Sequence, residues 1–205
     1  MLALDVSVSV NATEDAQQRQ GLAAALDHPD VRAAIFASPD PVALNVFEWS
    51  GRSQQTQILP WIVLHDPDDL DIAIANIRNS TPQASGQQTA LGYALGFAAQ
   101  RLAQAPDCLL QTIDVSGDGA NNAGFGPRTA YSAFPFDGVI VNGLVISRSA
   151  NVVDYYQQEV IRGPGAFVEV AESYADYAAA MRRKLIRELT AQIIGRSGIP
   201  AEGPA

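Results

Sequence analysis

The order of patterns along the chain predicts a single three-layer α/β domain, doubly wound around a mainly parallel sheet with one antiparallel edge strand. Three observations predict it. Short apolar runs of strand length alternate with helical patterns, as crossovers between parallel strands require. Two strand patterns, at 42–49 and 56–64, follow each other across the turn SGRSQQ as a hairpin. No repeat or linker marks a second domain. The domain is therefore expected over residues 1–196, and the aperiodic stretch 197–205 is expected to be a disordered tail.

The elements read in order as follows. Residues 2–7 form a buried strand. Thr13 caps a helix running to about Asp27, and a second short helical stretch covers 31–36. Pro39 and Pro41 break the chain. Pro60 suits an edge strand, because proline donates nothing to a central ladder. Residues 66–78 and 89–104 read as helices. The second carries Ala, Gly and Leu on most faces and should be buried. Strands follow at 109–116 and 138–146, with a helix between them. Asn151 caps a helix at 151–160, and the turn Gly163-Pro164-Gly165 leads to a last strand at 166–171. Ser173 then caps a long helix with Tyr174, Tyr177, Met181, Leu185 and Leu189 on one stripe.

Charge narrows the function classes. The net charge is −9, and residues 1–181 carry 8 basic against 20 acidic side chains. Such a body repels phosphate backbones, which argues against nucleic acid as a partner. The cluster Arg182, Arg183, Lys184 and Arg187 is expected on a solvated helix face, placed favourably in the helix's later half. No apolar run is long enough to span a bilayer. The single cysteine, Cys108, excludes a disulfide within the chain and any multi-cysteine metal site. Beside Leu109 and Leu110 it is expected to be a buried, inert thiol. No signal peptide is present as written. Met1 opens directly onto an apparent strand, which suggests that preceding native residues were trimmed. A periplasmic or secreted location follows if a signal peptide was among them.

Doubly wound sheets bind ligands beyond the carboxyl ends of their strands, where strand order reverses. In the order 3-2-1-4-5-6 that point lies between strands one and four. Asp5, Ser7 and Ser9 leave the first strand in LDVSVSV, with a period of two that points them the same way. Asp118 leaves the later strand in DVSGDGANN, and Thr89 opens the buried helix. Two carboxylates and three hydroxyls thus converge from three pieces of chain. This inventory suits a hard divalent cation, magnesium first and manganese or calcium next. Neutral hydroxyls leave much of its charge unquenched, so the ion seeks another anionic oxygen from outside. The set contains no evident nucleophile. Each piece alone has a plainer reading: a wet strand face, a helix cap, a turn aspartate. Their combination in chain order favours the metal.

DVSVS, an isolated later Thr89 and Asp118 before Gly119 resemble the metal-ion-dependent adhesion site of von Willebrand factor A-type domains. The wider text, QRQGLAAALDHPDVRAAI with DVSGDGANN and VNGLVI, is similar to a bacterial family of uncharacterised exported proteins of this type. The resemblance runs from Leu2 to the last helix. It implies that Ser7, Ser9 and Thr89 bind the ion directly, while Asp5 and Asp118 act mostly through water. It also implies a protein partner whose acidic side chain completes the site. Val8 departs from the pattern, standing where a small residue is usual. Asn121 and Asn122 lie close enough to orient waters.

Other polar residues have structural readings. Asp114, inside a strand, is expected to hydrogen-bond to neighbouring loops, with a supporting role behind the metal ligands left open. His28 and His65 are expected at the surface, and Trp49, Trp61 and the late tyrosines in packing roles. Asp66, Asp68, Asp69 and Asp71 suit a solvated helix start and lack the pattern of a calcium loop.

The nearest enzymatic resemblance is to haloacid dehalogenase-type phosphatases, through Asp5 and GDGANN at 117–122. Ser7 stands where their general acid belongs, Asn122 replaces the motif's last aspartate, and the only lysine is Lys184 in the terminal helix. The expected function is therefore a metal-dependent protein-binding module and not an enzyme. A metal-free interaction domain is the remaining alternative.

Overall fold

The computed structural model describes residues 1–37 and 39–196. Six strands form one sheet in the order β3-β2-β1-β4-β5-β6. They are β1 (Leu2–Asp5), β2 (Val42–Trp49), β3 (Gln55–Leu64), β4 (Gln111–Gly117), β5 (Val139–Ile146) and β6 (Val168–Ala171). β3 alone runs antiparallel, at the edge, paired only with β2. The other neighbouring pairs are parallel. Pro60 sits where the β2–β3 register shifts, between Val46↔Leu59 and Leu44↔Ile62, so its missing N–H falls in a bulge.

Helices cover both faces. One layer packs α1 (Ala12–Asp27), α2 (Pro29–Ile35), α3 (Pro67–Asn79) and α7 (Tyr177–Arg196) on Leu2, Leu4, Leu144 and Ile146. The other packs α4 (Leu91–Leu102), α5 (Pro127–Ala133) and α6 (Ala150–Tyr155) against Ala3, Phe47, Trp49, Val115 and Val141. Successive β1 residues thus feed opposite cores, as a strand buried on both faces must. No described helix is long and apolar enough to cross a membrane.

Several local expectations are corrected. Asn11 caps α1 in place of Thr13. Its side chain accepts from the Thr13 and Glu14 amides, and Glu14 reaches back to the Asn11 amide. His28 caps α2 through its ring nitrogen. Ser149 precedes α6 in place of Asn151, and that helix continues as a π turn over Tyr156–Val160. Ser173 opens a 3-10 turn, Tyr174–Asp176, which leads into α7. Cys108 is exposed, not buried, because the adjoining Leu109 and Leu110 themselves face solvent. The acidic run at 66–71 is a helix start: Asp66 caps α3, Asp69 accepts from the His65 amide and Asp71 pairs with Arg32.

The basic cluster on α7 is not one solvated face. Lys184 is wholly buried between Asp114 and Glu188. Arg182 meets His28, Arg183 pairs with Glu169, and Arg187 lies over the Phe167 ring. Asp114 is therefore satisfied by the last helix rather than by neighbouring loops. The expected tail at 197–205 lies outside the described residues.

Candidate metal centre

β1 ends at Asp5, and the chain turns immediately. The Ser7 amide donates to Asp5 Oδ1 at 2.8 Å, and the Val10 amide donates to the Ser7 carbonyl at 2.9 Å. The serines are thus gathered by a turn, not by the pleat of a longer strand. Gln18 on α1 fixes the end of β1 by donating to the Asp5 carbonyl at 2.9 Å.

The five residues meet. Thr89 Oγ1 donates to Ser7 Oγ at 3.3 Å, Ser7 and Ser9 hydroxyls lie 3.3 Å apart, and Ser9 Oγ donates to Asp118 Oδ1 at 2.9 Å. Asp5, Ser7 and Thr89 are buried, Asp118 is half-buried and Ser9 is exposed. The cluster therefore opens outward past Ser9 and Val8. Val8 projects into solvent, 68% exposed, while its amide is tied to the Gln87 carbonyl.

Thr89 does not cap the helix. α4 begins at Leu91, and Thr89 belongs to the preceding loop. Asn122 holds it there, accepting from the Thr89 amide at 2.9 Å while the Asn122 and Ala123 amides donate to the Thr89 carbonyl. Asn121 accepts from the Gly92 amide at 3.4 Å. Both asparagines thus brace the α4 entrance. Asp114 is not brought to the cluster. It pairs opposite Leu2, three residues back along the sheet, and borders a cavity of about 500 Å³ at the strands' other end.

Sequence reasoning missed three contributors. Gly117 leaves room that a Cβ would fill, 2.5 Å from the Tyr156 hydroxyl and 2.9 Å from Asp5 Oδ2. Tyr156 itself comes from the π turn and is fully buried. Glu48 on β2 supports the loop before Thr89, accepting from the Ala84 amide at 2.6 Å. A buried Glu flanked by Phe47 and Trp49 was the available signal for it.

Asp5 Oδ2 is buried and accepts no hydrogen bond of standard geometry. Burial, then the charge of Asp118, pushes the Asp5 carboxyl up to about 7. Burial also raises Asp118. Two carboxyls thus share a crevice lined by hydroxyls, and among the described residues no cationic side chain bonds to either. A divalent cation is what this arrangement accommodates. No group of three or more His, Cys, Asp or Glu suits a metal among the described residues, so hydroxyls carry the fit.

The sequence profile of the family described as Protein of unknown function (DUF1194) matches residues 1–193. No curated protein matches the chain. Among solved structures the chain is similar to proximal thread matrix protein 1 (PTMP1) from the mussel byssus. That match has a TM-score of 0.68 and 17% identity, covering 92% of this chain and 46% of that one. Another structure of the mussel protein, with a zinc-occupied MIDAS motif, matches at TM-score 0.63 and 16% identity, with coverages of 92% and 46%. The von Willebrand factor type A structure from Catenulispora acidiphila matches at TM-score 0.62 and 15% identity, with coverages of 92% and 42%. BatB from Bacteroides thetaiotaomicron matches at TM-score 0.58 and 17% identity, with coverages of 93% and 97%. This chain spans less than half of the mussel and Catenulispora chains. The likenesses show a von Willebrand factor A-type fold.

Proposed function

We propose that this chain, which belongs to the family described as Protein of unknown function (DUF1194), is a metal-dependent, adhesion-type protein-binding module. The observation that carries this reading is the buried Asp5 carboxyl, beside Asp118 and the hydroxyl chain of Ser7, Ser9 and Thr89, with no cationic side chain bonded to it among the described residues. In this reading the three hydroxyls hold a divalent cation directly, and the two carboxylates act mostly through water. Magnesium is the expected ion, with manganese or calcium as alternatives. When bound, the cation supplies an open coordination position that a partner's Asp or Glu side chain fills. The mussel protein's zinc-occupied MIDAS motif supports a divalent cation in general terms.

The residues' own tasks follow from their placement. Asn122 fixes Thr89, Gln18 fixes the end of β1, and the exposed Ser9 and Val8 mark the side from which a partner approaches. The phosphatase alternative loses ground with Lys184, the chain's one lysine, which is buried and held by Asp114 and Glu188 rather than beside Asp5. The reading is therefore non-enzymatic. A periplasmic or secreted location goes with this reading.

Calorimetry with magnesium, manganese and calcium on wild type and Asp118→Ala tests the proposal. Wild type binds at least one of the ions, and the variant loses most of that affinity. Absence of binding at millimolar ion would overturn the metal reading. Hydrolysis of an aryl phosphate that disappears in Asp5→Asn would establish the enzymatic rival instead.

A further inference from the structure

Arg52 stands apart from the chain's other arginines. Arg19, Arg32, Arg78, Arg128, Arg148 and Arg183 form ion pairs. Arg101, Arg162 and Arg187 lie over aromatic rings, and Arg182 meets His28. Among the arginines whose side chains are described, Arg52 alone makes none of these contacts. Exposure does not explain this. The Arg128 and Arg148 side chains are 75% and 77% exposed, yet both are paired.

Its position is specific. Trp49 is the partner of Asp5 across the β1–β2 ladder. Arg52 follows Trp49 by three residues, as Val8 follows Asp5, so two turns leave neighbouring strands at the same edge, about 4.8 Å apart. Gly51 lies against Gln87, where a Cβ would approach the Gln87 Cβ to 2.7 Å. The Gln87 carbonyl holds Val8, and Thr89 follows two residues on, within about 7 Å along the chain. On its other side, Arg52 Nε lies 3.2 Å from where Gly124 would carry a Cβ. Gly124 is two residues past Asn122, the residue that fixes Thr89. The guanidinium therefore stands beside the loops that present Thr89, on the rim of the proposed metal centre.

The turn that carries it is tied down. The Ser50 amide donates to the Gln54 carbonyl at 3.0 Å, Gln55 Nε2 donates to the Gly51 carbonyl at 2.7 Å, and the Ala90 amide donates to the Ser50 carbonyl at 3.1 Å. The last bond links the turn to the loop that presents Thr89.

We infer that the partner presents two acidic side chains, one to the metal centre and the second to Arg52. This rests on the metal-binding reading above. A guanidinium receives a carboxylate through two parallel hydrogen bonds, which fixes direction as well as charge. On a protein of net charge −9, an acidic segment is repelled by most of the surface. An unpaired arginine beside a cation gives it one place to bind and one orientation.

The test uses the magnesium-loaded full chain at low ionic strength and two short peptides, followed by NMR titration. The diacid probe is acetyl-Asp-Gly-Gly-Asp-amide, whose end residues span about 10 Å when extended. The monoacid probe is acetyl-Asp-Gly-Gly-Asn-amide. The diacid binds about sixfold more tightly than the monoacid, about twofold from carrying two carboxylates that can reach the metal and about threefold from one exposed ion pair. Arg52→Gln and raised salt leave only the roughly twofold part, and Arg52→Lys keeps more than that. A wild-type preference of about twofold or less, no binding of either peptide, or a preference unchanged by Arg52→Gln overturns the inference. Failure of the metal reading is distinguishable, because the chain then takes up no magnesium before any peptide is added.

Discussion

Ser9 Oγ donates to Asp118 Oδ1 at 2.9 Å although 109 positions separate the two residues. The contact joins the turn after β1 to the loop after β4, which is where a doubly wound sheet opens. Ser9→Ala removes the hydroxyl and leaves Asp118 without that donor. Magnesium affinity is expected to fall by at least about 10- to 100-fold, the range for losing a mere support, because Ser9 is itself a direct ligand in this reading. Stability should change by no more than ~0.5 kcal/mol, because Ser9 is exposed. Calorimetry and a thermal melt on one preparation separate the two effects. Unchanged affinity would remove Ser9 from the site.

Much of this arrangement is legible in the sequence. The apolar entry Leu2-Ala3-Leu4 and the hairpin after Pro41 are local patterns, and they led to the observed strand order. What stayed hidden depends on tertiary contact. Lys184 looked solvated among arginines, yet it lies seven residues after Tyr177 and three after Met181, on the stripe that faces the sheet. Its burial makes sense only once Asp114 and Glu188 are beside it. Cys108 failed in the opposite way. Two adjacent leucines suggested a core, but Leu109 and Leu110 are 80% and 45% exposed. The Asn11–Glu14 capping box is a local pattern, and it outranks Thr13 because it satisfies amides at both of its ends.

Glu48 links stability to the proposed site. It is buried on β2, bonds to Arg19, and accepts from the Ala84 amide in the loop leading to Thr89. Arg19 is held in turn by both carboxylate oxygens of Asp15 and by Ser80. Glu48→Ala leaves the buried guanidinium with only Asp15 and Ser80 and frees the loop. A loss of about 3–5 kcal/mol in urea unfolding is expected. Glu48→Gln retains an acceptor for the loop amide and should fold better than the alanine variant, with higher metal affinity. Equal behaviour of the two variants would show that Glu48 does not hold the loop.

The buried group of Lys184, Asp114 and Glu188 predicts a pH dependence. Burial, then the charge of Asp114, pushes Glu188 up to about 8 from 4.5, with Lys184 opposing. A folded-state value above the unfolded one stabilises fully below pH 4.5, and that contribution is lost as pH rises through about 8. Asp114 has the opposite sign. Burial resists its ionisation, yet the charge of Lys184 helps hold it below 3.8, so its contribution is present above that value and lost on acidification. The urea midpoint should therefore fall between about pH 5.5 and 8.5. Glu188→Gln, neutral throughout, should lose less unfolding free energy over that range, by at least ~1 kcal/mol, the worth of roughly one pKa unit. Parallel curves for wild type and variant would place the dependence elsewhere.

Gly92 offers a test in which two effects of opposite sign compete. In an ordinary exposed helix, Gly→Ala stabilises by about 1 kcal/mol. Here a Cβ would meet the Phe125 carbonyl oxygen at 2.2 Å and the Gly126 carbonyl oxygen at 2.8 Å. Those are backbone atoms, and no rotamer change relieves them. Overpacking of this kind costs about 1–3 kcal/mol, which outweighs the helical gain. Gly92→Ala should therefore be destabilising. The displaced segment is continuous with Asn122, whose bonds hold the Thr89 backbone, and the Gly92 amide itself donates to Asn121. Magnesium affinity should fall as well, although no ligand has been touched. A variant as stable as wild type would show that the loop yields to α4. In that case retained affinity would mean that Thr89 is positioned from the β1 side, through Ser7 and the Val8–Gln87 bond, rather than by Asn122.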